Sequence, residues 1–228
     1  WTLWAGHPSW ADPADRPEAL VEDRGILLQW PAMFPFSRIM APLQGLTESL
    51  FREVFFRHFS GIHLATTPFL PIGGAIRYRP DTLRKKIPDL CTSPVPLEVQ
   101  FLGHDPEGFR SLWDSLQTLR PSTRINWNLG CPYERVTRKQ RGAGLLPHPR
   151  LIQAFLKTLP EDCLPLFSIK LRAGLDHPSH SLDLLPLFND TPFSHITLHP
   201  RLATDLYHGP LNIDLFRAFA SHCQHPLI

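Results

Sequence analysis

The chain has 228 residues, of which 43% are hydrophobic and 19% charged, with a formal net charge of +2. This composition is that of an ordinary globular protein with one large domain or two small ones, and the near-neutral charge by itself gives no evidence for a nucleic-acid partner. No apolar run is long enough to span a bilayer, and the four widely spaced cysteines include no Cys-x-x-Cys pair, so we expect a reduced, cytoplasmic protein without a membrane span or metal site.

The first 32 residues differ from the rest of the chain. They show no clear period and mix tryptophan, proline and acidic residues, whereas the segment beginning "MFPFSRIMAPLQG" has a sharper pattern. We therefore interpret residues 1–32 as an atypical N-terminal extension or upstream sequence, with Met33 as the natural initiator. The folded domain is predicted to cover residues 33–228.

From this point, short apolar runs alternate with amphipathic stretches. Strands are predicted at 37–43, 61–67, 96–102, 124–129, 165–171 and 194–199, with a seventh beginning at residue 226. The helices between them have recognisable starts. Asp105 is a predicted N-cap followed by proline at the first helical position, and Pro149 begins another helix in the same way.

Alternating strands and helices predict βαβ units and a parallel sheet. The strand starts repeat at about 31 residues, and eight such units would form a (β/α)8 TIM barrel of roughly 250 residues. The chain holds about six units and the start of strand seven, so we predict an incomplete TIM barrel. A doubly wound open sheet is the rival architecture, but its GxGxxG turn after the first strand is absent.

Polar side chains stand where the predicted strands end, and a barrel aims these ends at one mouth. They are Gln44, Gln100, Asn128 with Cys131, Lys170 and His199. Taken singly, Gln100 and Cys131 are better explained as an ordinary strand end and an unreactive loop thiol. Lys170 is more telling, because an ammonium group inside an apolar strand is costly unless it faces a pocket or a partner. Their shared position strengthens the case that all of these residues are functional. No paired carboxylates and no His-x-His or HExxH pattern occur among them, so carboxylate-based hydrolysis and metal chemistry are poorly supported.

The segments that carry these residues resemble a known family. They read "MAPLQGLTESLFR", "VQFLGHDP", "NWNLGCPYERVTRKQRGAGLL", "SIKLRAGLD" and "ITLHPR". In this order and spacing, from about residue 38 to the end of the chain, they closely resemble the tRNA-dihydrouridine synthases. The Gly-Cys-Pro segment followed by a glycine-rich loop is the most specific element.

The resemblance implies an FMN-binding barrel followed by a smaller helical tRNA-binding domain, the latter missing from this chain. It implies reduction of specific uridines in tRNA to 5,6-dihydrouridine, with NADPH reducing the flavin. The implied cofactor-binding residues are Pro42, Leu43, Gln44, Gln100, Lys170 and His199. The implied catalytic residue is Cys131. The implied tRNA-binding residues are Asn128, Arg135, Arg138, Lys139 and Arg172.

The chemistry of that reaction asks for these residue types. Reduced flavin gives hydride from N5 to C6 of the uracil ring, and C5 then needs a proton. A thiol is mostly protonated near neutral pH, so Cys131 is expected to act as a general acid. Lys170 is expected to stabilise negative charge at the N1/O2 side of the flavin, and the basic residues after Cys131 are expected to contact phosphate.

Two departures from the family pattern leave other functions open. The family's usual His-Gly-Arg is here His199, Pro200 and Arg201, and the chain ends before the segments expected on strands seven and eight. One alternative is a non-catalytic or inactive fragment that binds RNA or a partner. The other is a different FMN TIM-barrel oxidoreductase that acts on a free pyrimidine. The sequence does not indicate the oligomeric state.

Overall fold

A computed structural model describes residues 38–228. The predicted extension at residues 1–32, the proposed initiator Met33 and the first residue of the first predicted strand lie outside this range.

Within residues 38–228, seven strands form one sheet, and the sheet pairs are parallel. The strands are β1 Ile39–Met40, β2 Leu64–Thr66, β3 Leu70–Pro71, β4 Leu97–Leu102, β5 Arg124–Leu129, β6 Phe167–Gly174 and β7 Ile196–Leu202. Six of them lie where the sequence predicts strands. The two-residue β3 was not predicted, and β6 and β7 run three residues beyond their predicted ends.

In this described part of the chain, seven α-helices connect the strands. They are α1 Ser49–His58, α2 Pro80–Lys86, α3 Pro106–Leu119, α4 Glu134–Thr137, α5 Pro149–Leu156, α6 Ser179–Asn189 and α7 Ile213–His222. The start of α3 is as predicted, because the Asp105 carboxylate accepts a hydrogen bond from Gly108 N at 3.0 Å and Pro106 opens the helix. Pro149 likewise occupies the start of α5.

The order of the strands confirms the predicted fold class. Along the main path the sheet runs β1-β2-β4-β5-β6-β7, with β3 pairing beside β4. Neighbours in the sheet therefore follow chain order, as in a barrel, whereas a doubly wound sheet reverses its order partway. The curled sheet is an incomplete TIM barrel. Leu227 pairs with Ile196 in an isolated parallel bridge, at the place predicted for the next strand.

Successive side chains along the strands point to opposite faces of the sheet. One face is apolar and packs beneath the helices, with Val99, Phe101, Ile125, Trp127 and Phe167 all fully buried. The other face points into the barrel and is polar. Its side chains include Glu98, Gln100, Asn126, Asn128, Ser168, Lys170 and Arg172. This polar inner face carries the site.

A buried ion pair anchors the first helix of the barrel. The Arg52 guanidinium, 1% exposed, bonds both oxygens of Asp89 at 2.6 and 2.9 Å and Thr47 O at 2.6 Å. The Thr47 hydroxyl in turn accepts a hydrogen bond from Leu43 N at 2.8 Å. The loop after β1 is therefore held against α1 where it reaches the barrel mouth.

Candidate active site

A cavity lies at the carboxyl ends of the strands, where a barrel places its active site. Its lining contains every residue that the sequence analysis assigned to the cofactor, together with the predicted catalytic cysteine. The predicted residues in the lining are Pro42, Leu43, Gln44, Gln100, Asn128, Cys131, Lys170, Arg172 and His199. Residues from the ends of four strands and from the β1–α1 loop thus meet, although up to 157 positions separate them in the chain.

Cys131 stands in a tight turn directly after β5. The Asn128 side chain makes this turn, because its Oδ1 accepts hydrogen bonds from Gly130 N at 3.1 Å and Cys131 N at 2.9 Å. From the other side the segment Gly142–Leu145 closes over the turn, with Ala143 N donating to Cys131 O at 3.1 Å. The turn leaves Cys131 only 7% exposed while its side chain borders the cavity.

Burial keeps the Cys131 thiol protonated. Loss of solvent raises the pKa of the thiol above its ordinary value, because the thiolate is the charged form. A backbone hydrogen bond at Tyr133 and the charges of Arg135 and Arg172 act in the opposite direction but are smaller effects. The group is therefore suited to donate a proton near neutral pH and poorly suited to attack as a thiolate.

The wall of the cavity that β6 and β7 form is cationic. Burial and the Arg172 guanidinium lower the pKa of Lys170, and among the described residues no hydrogen bond or ion pair engages its ammonium group. Burial and the charges of Arg172, Lys170 and Arg201 lower the pKa of His199 to about 4, so its imidazole is neutral at pH 7. No aspartate or glutamate stands among the described residues that line the cavity. This wall is suited to an electron-rich or anionic ligand.

Arg172 was predicted to contact tRNA, and the structure shows that much of its hydrogen-bonding capacity is used within the protein. The residue is 2% exposed, and its guanidinium donates to the carbonyl oxygens of Gly130, Leu202 and Leu206 at 3.1, 2.9 and 2.6 Å. It also lies 5.0 Å from the centre of the Tyr207 ring. Arg172 thereby ties the loop after β7 to the turn that holds Cys131.

The two predicted amides of the site are bonded to each other. Asn128 Nδ2 donates to Gln100 Oε1 at 2.8 Å, and Gln100 Nε2 donates to Asn126 Oδ1 at 2.7 Å. Gln100 keeps one N–H and one lone pair for a ligand, and Asn128 keeps one N–H. Their orientation in the cavity is thus set by the protein.

Three of the predicted tRNA contacts lie outside the cavity. Arg135, Arg138 and Lys139 are exposed on α4 and just after it. The Arg135 guanidinium lies 5.9 Å from the centre of the Tyr133 ring, and Arg138 is paired with Glu134. These cations stand on the surface beside the cavity mouth.

Sequence reasoning missed several residues of the site. Phe69, Tyr133 and Tyr207 add aromatic surface to the lining. Tyr133 directly follows the Gly-Cys-Pro segment, so the motif could have indicated that it lines the site. Tyr207 lies in the loop after β7, where no sequence pattern indicates a site residue. Asn126 beneath the cavity was indicated by the polar alternation of "INWNL", a pattern that continuous apolar strands would not show.

Two further features of the structure concern metal binding and membrane crossing. Across residues 38–228, no three or more His, Cys, Asp or Glu side chains are grouped so as to hold a metal ion. In the same part of the chain, no helix combines the length and apolarity needed to cross a membrane.

Comparison with known proteins identifies one family and several relatives to which the chain is similar. A family model described as dihydrouridine synthase matches residues 39–227. The tRNA-dihydrouridine(16) synthase of Neisseria meningitidis serogroup A is 28% identical over 198 residues, which cover 83% of this chain and 58% of that protein. The corresponding protein of Vibrio parahaemolyticus is 27% identical over 72% of this chain and 52% of its own length.

The chain also matches a relative with a different name. The tRNA-dihydrouridine synthase B of Yersinia pestis is 27% identical over 192 residues, 83% of this chain and 58% of its own. The chain thus spans a little more than half the length of the curated relatives it matches.

Proposed function

The chain belongs to the dihydrouridine synthase family, and from this membership we propose that the protein reduces specific uridines of tRNA to 5,6-dihydrouridine. The single observation that carries the proposal is the position of Cys131. A buried, protonated thiol borders a cavity whose other wall is cationic and whose described lining has no carboxylate. A proton donor facing a site for an electron-rich ligand is the arrangement that reduction of a uracil ring requires.

The residues around the cavity fit a flavin. The ammonium group of Lys170 is without a partner in the described protein and the neutral His199 lies among cations, so a ligand with negative charge would relieve both. We propose that FMN is held by Pro42, Leu43, Gln44, Gln100, Lys170 and His199. When bound there and reduced by NADPH, FMN would supply the hydride that C6 of the uracil receives.

Cys131 has the complementary task in this proposal. Its thiol gives a proton to C5 of the same ring, on the side of the cavity formed by the turn after β5. Burial keeps this proton on the thiol until the reaction, because it disfavours the thiolate. Asn128 holds the turn through two backbone N–H groups and offers its remaining N–H to the substrate base.

We propose that the exposed cations near the mouth contact the tRNA backbone. Arg135 and Lys139 are exposed in the segment after Cys131, and Arg138 in the same segment forms an ion pair with Glu134. Such contacts supply affinity that does not depend on base sequence and offset the few kcal/mol needed to unstack the target uridine. Arg172 supports the site through the loop that carries Tyr207, and only its remaining N–H groups face a ligand.

The experiment uses the full-length natural protein. We expect a yellow protein with flavin absorbance that forms dihydrouridine in tRNA when given NADPH. The variant Cys131→Ala keeps the flavin absorbance and loses about 100-fold or more of the rate, the usual contribution of a general acid. Cys91→Ala is the matched control, because Cys91 is exposed and lies away from the cavity.

Three results would contradict the proposal in distinguishable ways. A colourless full-length protein that binds tRNA would favour a non-catalytic RNA-binding role. A yellow protein that reduces a free pyrimidine and leaves tRNA unchanged would favour the other flavin oxidoreductase function. Full activity on tRNA in Cys131→Ala would remove the thiol as proton donor while leaving the substrate assignment intact.

A further inference from the structure

A carboxylate lies deep in the barrel beneath the cavity, with no part in the function proposed above. Glu98 is 0% exposed and accepts hydrogen bonds at both of its oxygens, from the Thr66 hydroxyl at 2.8 Å and the Ser168 hydroxyl at 2.6 Å. Arg124 stands opposite it in the sheet register, and His195 Nε2 lies 3.6 Å from its Oε1. A buried charge is costly, so its position calls for an explanation.

A continuous row of hydrogen bonds leads from this carboxylate to the turn that holds Cys131. On the buried side, the Ser168 hydroxyl donates to Glu98, and Asn126 Nδ2 donates to Ser168 Oγ at 2.7 Å. Gln100 Nε2 donates to Asn126 Oδ1 at 2.7 Å.

On the cavity side the row continues through the second amide of the site. Asn128 Nδ2 donates to Gln100 Oε1 at 2.8 Å, and Cys131 N donates to Asn128 Oδ1 at 2.9 Å. All five bonds point the same way, from the backbone at Cys131 toward Glu98.

The two ends of the row allow only this direction. The carboxylate end accepts from both hydroxyls, whereas the backbone N–H end can only donate. Each intermediate side chain accepts at its oxygen from the Cys131 side and donates toward Glu98, so turning any one amide around would place two donors or two acceptors face to face. Such aligned bonds strengthen one another in a low-dielectric interior.

We propose that Glu98 is a positioning residue, which acts through Ser168, Asn126, Gln100 and Asn128 to fix the Gln100 amide and the Cys131 turn in the cavity. The side chains of both predicted amides of the site are then oriented from below before any ligand arrives. This inference rests on the proposed function only for the role of Cys131; the geometry itself is independent of it.

A substitution at Ser168 interrupts the row of hydrogen bonds. A substitution at Thr66, which bonds the same carboxylate, is the matched control. Ser168→Ala removes one hydrogen bond to Glu98 and breaks the row, leaving Asn126 Nδ2 without its acceptor. Thr66→Val removes the other hydrogen bond to Glu98, is nearly isosteric, and leaves the row intact. Both variants lose a buried hydrogen bond to Glu98, and Ser168→Ala also loses the one that Asn126 donates, so we expect its melting temperature to fall further than that of Thr66→Val.

The measurement is the rate at which iodoacetamide alkylates Cys131 in the full-length protein, followed by peptide mass spectrometry as pH is varied. We expect Ser168→Ala to raise the rate at pH 8 by about 5- to 10-fold, since one lost hydrogen bond loosens the turn that buries the thiol. The midpoint of its pH profile should move down toward that of an exposed thiol. Thr66→Val should stay within about twofold of the unchanged protein.

Equal rates in the two variants would overturn the proposal, whether both match the unchanged protein or both exceed it. If Ser168→Ala is not recovered folded, Asn126→Ala cuts the row without altering Glu98 and carries the same expectation. Hydrogen exchange of the unchanged protein is a test without variants, because the N–H groups of Gly130 and Cys131 should exchange slowly; exchange at the rate of an open loop would overturn the proposal. None of these measurements requires flavin or tRNA, so an inactive protein can still pass them.

Discussion

Two side chains in the lining of the cavity show how burial sets chemistry at the scale of the residue. Desolvation disfavours whichever form of a group is charged, so it raises the pKa of the Cys131 thiol and lowers that of the His199 imidazole. Both groups are therefore neutral at pH 7, and the Cys131 thiol in this form carries the proton that it can donate. The nearby cations add to the effect on His199 and oppose it at Cys131, where burial is the larger cause.

His199 makes stability depend on pH in a defined window. Its pKa is about 4 in the folded protein against about 6.5 in an unfolded chain. Between these values the unfolded chain binds a proton that the folded protein does not, so lowering the pH from 6.5 to 4 removes stability, about 1–2 kcal/mol once solvent screening of this half-buried group is allowed for. We expect His199→Gln to flatten this part of the stability curve, measured by urea unfolding at several pH values.

The control for this prediction is His208→Gln, because His208 is an exposed histidine in the loop after β7. It should leave the slope between pH 6.5 and 4 as it is in the unchanged protein. The same slope in His199→Gln and the unchanged protein would contradict the assignment. An anionic ligand in the cavity should raise the pKa of His199, which NMR titration of its ring protons can follow.

At the scale of the element, the segment after β5 is shaped by glycines that leave room for the backbone of Cys131. Gly142 has a φ of +54°, and a side chain there would bring its Cβ within 2.7 Å of Cys131 O and 2.9 Å of Cys131 Cβ. Neither neighbour can turn aside, since both belong to the tight turn. The glycine-rich run that looked like a family signature thus has a steric function.

We expect Gly142→Ala to destabilise the protein by about 2–4 kcal/mol, from the positive φ together with the overlap onto Cys131. Gly130→Ala is the matched control on the other side of the cysteine. Its Cβ would meet nothing closer than 3.5 Å and its φ is not in the left-handed region, so it should cost less than about 1 kcal/mol. Thermal unfolding of both variants tests this, and equal melting temperatures would count against it.

Most elements were predictable because each has its own local signal. Asp105 and Pro149 mark helix starts by capping and by the fixed φ of proline, and both starts are found. The ends of β6 and β7 were placed too early. Each extension holds a single arginine among small or apolar residues and gives no clear strand signal. The one in β7 includes Pro200, whose carbonyl accepts a hydrogen bond from Asn212 N at 2.8 Å. A prediction from β-propensity alone ends these strands at residues 171 and 199, whereas pairing with the neighbouring strand extends them.

At the scale of the whole molecule, one sheet separates an aromatic layer beneath the helices from the polar interior of the barrel. Phe101 stands at the centre of the apolar layer, with ring centres 5.1–6.2 Å from its own. These neighbouring rings are Phe109, Trp127, Phe155 and Phe167. The neighbours come from four strands or helices other than its own, so this cluster joins β4, β5, β6, α3 and α5.

We expect Phe101→Ala to lower the free energy of unfolding by about 3–5 kcal/mol, because it leaves a cavity among rings that cannot close over it. Phe59→Ala is the control, since Phe59 is 62% exposed and should change stability by less than about 1 kcal/mol. Urea unfolding followed by tryptophan fluorescence measures both. A loss below about 1 kcal/mol in Phe101→Ala would show that this layer does not hold the sheet to its helices.

The sequence by itself determined the alternation of strands and helices, the barrel class and the identity of the residues at the strand ends. These follow from periods, caps and motif spacing, all of which are local properties of a chain. Tertiary structure alone decided what those residues contact. It engaged Arg172 with three carbonyl oxygens, bonded Gln100 to Asn128, and connected both amides to Glu98, which no motif marked. The reason is physical: hydrogen-bond partners and burial depend on which strands become neighbours, and residues 98, 126 and 168 become neighbours only when the parallel sheet curls.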